Sequence, residues 1–230
     1  MRKLATIVFM LCVAFNSLTA QNNGPSLDNY FSPVTAEAAS PDAEGFIRRW
    51  LLLEPIDKPN RTNIVFTDSY LREAFHTEYF KGQFTTFPKD GQKVKVGKQK
   101  LAWHALDSKL FNVKLFRFAS GLDRQIYGVL FWAVTVIECE EDIPNVRMAV
   151  GSNSGSMWWL NGEEAVILSG DRRMVKDDCT SPRLTLKKGR NILRGAVING
   201  PGMSDFCVRF IDEKGHPVNN ISITTTQPKK

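Results

Sequence analysis

The chain has 230 residues, 43% of them hydrophobic and 10% aromatic, enough to bury one sizeable core and a length that points to a single domain. Its formal charge is +6, but apart from Lys93 to Lys100 the basic residues are scattered. A surface that tracks phosphates is therefore not expected, and the composition argues against a nucleic-acid partner.

The first twenty residues stand apart: Arg2 and Lys3, a mostly apolar run from Leu4 to Phe15, then small and polar residues ending at Ala20. This is the layout of a secretory signal peptide, too short to serve comfortably as a transmembrane helix, with cleavage expected after Ala20. Cys12 follows Phe9-Met10-Leu11 rather than a lipoprotein-type small-residue pattern. The expected product is soluble and exported, periplasmic or extracellular, with no transmembrane segment after cleavage. Removing Arg2 and Lys3 takes two from +6 and leaves +4. Cys139, Cys179 and Cys207 remain, which permits one disulfide and one free thiol; no close pair suggests a zinc knuckle.

Residues 21–44 carry three prolines and no apolar periodicity, and read as a flexible leader to a domain over 45–226. Phe46 to Ile56 reads as a buried first strand that stops at Pro55. From Asp68 the pattern becomes helical, with Leu71, Ala74, Phe75 and Tyr79 on one face, and Asp68 or Ser69 available to cap the first turn. This helix is expected across the sandwich edge. Pro88 to Lys100 reads as loop and hairpin, and Leu101 to Phe118 as two short strands around Asp107-Ser108. Ile126 to Ile137 is a long β-branched and aromatic run, the mark of a central strand covered on both faces.

From Val146 to Ile211 the grammar is strand and turn. Trp158-Trp159-Leu160-Asn161-Gly162 places Asn-Gly between two apolar runs, the strongest short-range hairpin signal, because a type I′ turn needs two residues that tolerate positive φ. Arg183 to Leu186, a turn through Gly189, Asn191 to Ile198 and Phe206 to Ile211 follow as strand, turn, strand and strand. The two-residue period points Trp158, Leu160, Leu193, Val197, Phe206, Val208 and Phe210 inward, with Gly195 leaving room for a large neighbour. Trp50, Trp103 and Trp132 lie in the most apolar runs and are expected in the core. The fold class is all-β, a β-sandwich with one or two short accessory helices.

Five segments carry a resemblance: Ile47-Arg48-Arg49-Trp50-Leu51-Leu52-Leu53-Glu54-Pro55, Leu101-Ala102-Trp103, Met157 to Gly162, Leu186-Lys187-Lys188-Gly189-Arg190-Asn191, and Phe206 to Asp212. In this order they resemble a galactose-binding-like jelly roll, and in particular the non-catalytic region of secreted bacterial acetyl xylan esterases. The resemblance implies an exported carbohydrate-binding module assisting polysaccharide degradation, with a polysaccharide or oligosaccharide as ligand and a carbohydrate-active enzyme as partner. It also leaves open a part or relative of an acetyl xylan esterase, or a structural protein-interaction domain without a sugar site. Arg190 and Ala196 depart from the aromatic residue and the lysine common at those positions.

Catalytic chemistry has little to stand on. Gly151-Ser152-Asn153-Ser154-Gly155 has the glycine spacing of a nucleophile elbow but asparagine at its centre, and Gly170-Asp171-Arg172 lacks the serine of a Gly-Asp-Ser block. His76, His104 and His216 belong to no triad motif. Asp171, Asp177 and Asp178 are hard-oxygen candidates for a structural calcium, but no spacing approaches a calcium loop, so no cofactor is expected.

Because successive antiparallel strands alternate in direction, Gly151 to Ser156, Ser169 to Pro182 and Asn199 to Ser204 are expected at one end. That end would present Asn153, Asp171, Arg172, Arg173 and Asn199, groups with the donor and acceptor mix that sugar hydroxyls need. The alternative is that these residues pair with one another and shape turns. Trp159, outward by parity, is the competing site: a stacking platform, or a side chain covered by another strand or by residues 21–43.

Overall fold

The computed structural model describes residues 26–227, so the signal-peptide expectation lies outside the described residues. After a 3₁₀ turn at Leu27–Asn29 come β1 (Phe31–Pro33), β2 (Arg49–Leu53), β3 (Ile56–Asp57), α1 (Asp68–His76), β4 (Lys93–Val96), β5 (Gln99–Ser108) and α2 (Leu115–Gly121). The remaining elements are β6 (Val129–Cys139), β7 (Ile143–Asn153), β8 (Gly155–Leu160), β9 (Glu163–Leu168), β10 (Cys179–Thr180), β11 (Leu184–Leu186), β12 (Gly189–Asn199), β13 (Asp205–Ile211) and β14 (Ser222–Thr224). The larger sheet runs β1-β5-β2-β6-β12-β8-β9, with β3 and β14 also on β6 and β4 on β5. The smaller is built on β7, which pairs antiparallel with β13 over Arg147–Asn153, with β10 at Ala149 and Val150, and with β11 at Ile143 and Val146. The fold is an all-β sandwich with two short helices.

Strand β6 is buried at ten of its eleven residues and lies in the middle of the larger sheet, as its unbroken apolar run requires. The Asn161-Gly162 turn has φ of 54° and 91°, the two positive values of a type I′ turn. Its Asn161 also clamps the neighbouring strand, accepting from the Ile192 amide at 2.8 Å. The inter-sheet core takes Trp158 and Leu160 from β8, Leu193 and Val197 from β12, and Phe206, Val208 and Phe210 from β13. Trp50, Trp158 and Phe206 form an edge-to-face triangle with centroids 4.9 to 5.9 Å apart. Their polar handles are satisfied: Trp158 Nε1 donates to Ser156 Oγ at 3.0 Å and Trp50 Nε1 to the Ile47 carbonyl at 2.9 Å.

A second core covers the opposite face of the larger sheet. Trp132, Val134, Met157, Trp159, Ala196 and Ile198 project there and are roofed by Phe66, by Leu71, Ala74 and Phe75 of α1, and by Phe80 and Val96. Helix α1 thus lies over a sheet face and not across the edge expected from its sequence. A sheet face whose outward residues are this apolar has to be covered, and the α1 stripe is the complementary surface. The helix cap is Thr67, one residue before the expected start, with its hydroxyl accepting from the Tyr70 amide at 3.3 Å. Tyr79 falls beyond the helix end.

Two further readings are corrected, and the state of the three cysteines, left open by the sequence, is defined. Residues 31–33 of the expected leader are strand β1, paired with Leu106–Ser108, and Ala39 bridges Ile223, so this stretch is stitched into the sheet. Leu115 to Phe118 is helical, not extended; Leu115, Phe118 and Ala119 are buried at i, i+3 and i+4, a period that overrides the short alternation before it. Cys139, Cys179 and Cys207 are all free thiols, with Cys139 and Cys207 buried.

Candidate functional site

At one end of the sandwich β7 passes into β8 through Ser154 alone, a non-glycine residue at φ 80°. The expected loop over Gly151 to Ser156 is therefore a kink, with its flanks inside strands. Half-buried Asn153 closes β7 opposite Asp205 of β13, and the Ser154 amide donates to the Arg172 carbonyl at 3.4 Å. The three connections expected at this end do meet there.

A residue outside the expected set ties two of them together. Asn63, from the polar run between β3 and α1, donates from Nδ2 to Asp171 Oδ1 at 2.8 Å and to the Pro201 carbonyl at 3.1 Å. Its Oδ1 accepts from the Gly200 amide at 3.2 Å. The Gly170 amide adds a bond to the Phe66 carbonyl at 2.7 Å. The only sequence signal for Asn63 was its place in the polar stretch Asn60-Arg61-Thr62-Asn63, which carries no periodicity.

The other expected residues divide by burial. Exposed Asp171 keeps Oδ2 without a protein partner among the described residues, and exposed Arg173 makes no ion pair there. Arg172 is turned to Asp178, donating from Nε at 3.0 Å and also from Nη2, and to the Ser169 carbonyl from Nη1 at 3.1 Å. Asn199 is fully buried. Its Nδ2 donates to the Ile126 and Gly202 carbonyls at 2.8 and 3.1 Å, so it holds the 126–128 and 199–204 segments and presents nothing to solvent. Asp171, Arg172 and Arg173 therefore do not pair with one another. Ile64 (81% exposed), Tyr127 (51%) and Met203 (58%) stand on the segments this network joins.

The three aspartates weighed for calcium take separate partners: Asp171 binds Asn63, Asp178 binds Arg172, and Asp177 accepts from Arg209 Nε at 2.9 Å. Among the described residues no group of three or more His, Cys, Asp and Glu side chains is arranged to hold a metal. His104 lies 3.2 Å from Glu54 and His216 3.3 Å from Asp212, while His76 faces the Trp159 ring.

Trp159 occupies a different place, on the roofed face of the larger sheet. It is 5% exposed. Its indole stacks on Trp132 with centroids 5.6 Å apart and planes 21° apart, and His76 meets it edge-on at 6.2 Å. Ala196 on the strand between them is small enough for the two rings to meet over it. The cover is thus α1 and the segment after it, not the described residues 26–43. Beside Trp159 is a cavity of about 190 Å³ lined by His76, Phe84, Trp159, Gly162 and Arg194. Arg194 lies directly opposite Trp159 in the β12–β8 ladder and is 5% exposed. Sequence reasoning passed over it as one charge in an apolar strand.

The fold and its loop end define a β-sandwich module with its irregular connections gathered at one pole. No protein-family model and no curated protein matches the chain. Solved structures similar to it include the PA14 sugar-binding domain from an RTX adhesin, 10% identical, covering 76% of this chain and 96% of that one with a TM-score of 0.42. The PA14 domain of the antifreeze protein MpAFP is 11% identical, with 85% and 100% coverage and a TM-score of 0.44. A β-glucosidase from Kluyveromyces marxianus is 15% identical at a TM-score of 0.41; this chain spans 81% of itself and 20% of that enzyme in the match. At these identities and scores no residue role is transferred to this chain.

Proposed function

We propose that this chain is an exported carbohydrate-binding module whose sugar site is the loop end, and that it holds polysaccharide close to the enzymes that degrade it. The observation that carries this reading is the Asn63 network. It joins three connections around Asp171 while Asp171 and Arg173 stay exposed and free of charged partners among the described residues. A preorganised rim with an available carboxylate oxygen and guanidinium meets sugar hydroxyls with both acceptor and donor, and loops held on a rigid scaffold are where such groups concentrate. The exposed Tyr127, Met203 and Ile64 supply apolar surface for the C–H faces of a sugar ring. Export rests on the charged start, apolar run and small-residue end of residues 1–20.

A glycan array followed by affinity electrophoresis on any polysaccharide free of uronic acid that it finds tests the site. Asp171→Ala, Arg173→Ala and Asn63→Ala are expected to weaken retardation while Trp159→Ala, if folded, does not. The reverse pattern would move the site to the Trp159 face. Incubation with p-nitrophenyl acetate and acetylated xylan separates this reading from an esterase: turnover that follows the protein through purification would replace the binding module. N-terminal sequencing of the secreted form is expected to begin at or near Gln21.

A further inference from the structure

We infer that the cavity beside Trp159 is a second binding site, specific for a carboxylate carried on a sugar ring, as in a uronic acid residue, with Arg194 as the carboxylate receptor. Arg194 is a charge without a counter-ion among the described residues. Arg194 projects from β12 on the roofed face, is 5% exposed, and forms no ion pair with any described residue. Its one protein hydrogen bond runs from Nη2 to the Thr86 carbonyl at 3.3 Å, and Nε has no partner. An isolated buried charge is strongly disfavoured, so a guanidinium retained in such a place is normally neutralised by an anion.

The carboxylate on the neighbouring rung is otherwise engaged: Glu164, which faces Trp159 in the β8–β9 ladder, is bound by Arg72 of α1. One more group able to donate lines the cavity, the exposed His76. The walls are donors and ring faces, with no carboxylate among the lining residues.

Size and shape narrow the anion. A volume of about 190 Å³ is that of roughly six waters, generous for a bare phosphate or acetate and well below the pocket of a drug-sized ligand. One pyranose ring fits this range. The Phe84 and Trp159 rings offer apolar walls to its C–H face, and the planar guanidinium fork takes a carboxylate through two parallel bonds. The site is separate from the loop end: it lies by the Asn161-Gly162 turn, at the opposite end of β8 from Gly155 and the Ser154 kink. The uronate identity rests on the carbohydrate reading; the anion site does not.

Isothermal titration of the full chain with sodium D-galacturonate, D-galactose and inorganic phosphate tests this. Galacturonate is expected to bind about tenfold or more tightly than galactose, the factor a charge-assisted pair supplies, and more tightly than phosphate, which lacks the ring that the apolar walls hold. Arg194→Met is expected to lose that preference and remain folded, because removing an unpaired buried charge does not cost stability. Arg194→Lys, which keeps the charge and loses the fork, is expected to fall between. Should Arg194→Met not fold, the wild-type melting midpoint decides alone: it rises with galacturonate and not with galactose. Equal binding of the acid and neutral sugars, unchanged galacturonate binding in Arg194→Met, or no binding of the acid overturns the proposal. Tighter binding of phosphate leaves an anion site and overturns the sugar acid. Asp171→Ala and Arg173→Ala leave galacturonate binding intact, so this site and the loop-end site fail independently.

Discussion

Gly195 and Trp158 face each other in the β12–β8 ladder, and the indole fills the space a side chain on residue 195 would need: a Cβ there would stand 2.2 Å from Trp158 Cζ3. The close approach lets a tryptophan of the inter-sheet core lie flat against its neighbouring strand. Gly195→Ala would force the fully buried ring out of the Trp50–Phe206 triangle, and overpacking of this kind costs typically about 1–3 kcal/mol, more where a rigid ring has to move. Urea unfolding is expected to show at least that loss, and an unchanged midpoint would mean the ring has somewhere to go.

Phe210 tests the register of the opposite sheet. It is fully buried in the inter-sheet core on β13, paired in the ladder with Met148. Phe210→Ala is expected to cost about 3–5 kcal/mol. A loss below about 1 kcal/mol would be that of a surface position and would contradict the packing.

Asn199 and Asn63 should separate cleanly in the laboratory although both serve the same end of the molecule. Asn199→Ala deletes two bonds, to the Ile126 and Gly202 carbonyls, from a fully buried position. It is expected to lower stability by about 1–3 kcal/mol, the cost of leaving such groups unsatisfied. Asn63 is half-buried and bonds across loops, so Asn63→Ala is expected to leave the urea midpoint nearly unchanged and to weaken polysaccharide retardation. Equal effects of the two on stability would remove Asn63 as the organiser of the rim.

The thiols give a pH prediction. Burial pushes the Cys207 thiol up to about 12 and raises Cys139 as well. Native protein at pH 8 is expected to resist iodoacetamide at both residues, since the thiolate is the reactive form, and to be alkylated at both once unfolded. A raised folded-state value means the native state holds its proton more tightly than the unfolded chain. This contribution is therefore fully present below the ordinary thiol value of 9.0 and is lost as pH rises from there toward 12. Tyr70 and Tyr79, also raised by burial, act in the same direction. Stability measured from pH 8 to 11 should fall, and a flat profile would contradict the burial of these groups.

The chain itself determined the strand grammar from Ile126 onward. Asn161-Gly162 specified its turn because only such residues tolerate two positive φ values in succession, and the two-residue period placed Trp158, Leu193, Phe206 and Phe210 inside because a strand offers no third direction. What lay over the other face of the larger sheet was a matter for the tertiary structure. Parity turned Trp159 outward, but outward from one core proved to be inward to a second, since α1 and the segment after it close over that face. The same roof turned Arg194 from one of thirty basic residues into a buried guanidinium beside a cavity. Asn63 and Asp171, 108 residues apart, met only when the chain returned to the same pole. Local sequence encodes direction and period, whereas burial and partnership depend on which distant segments arrive to cover a surface.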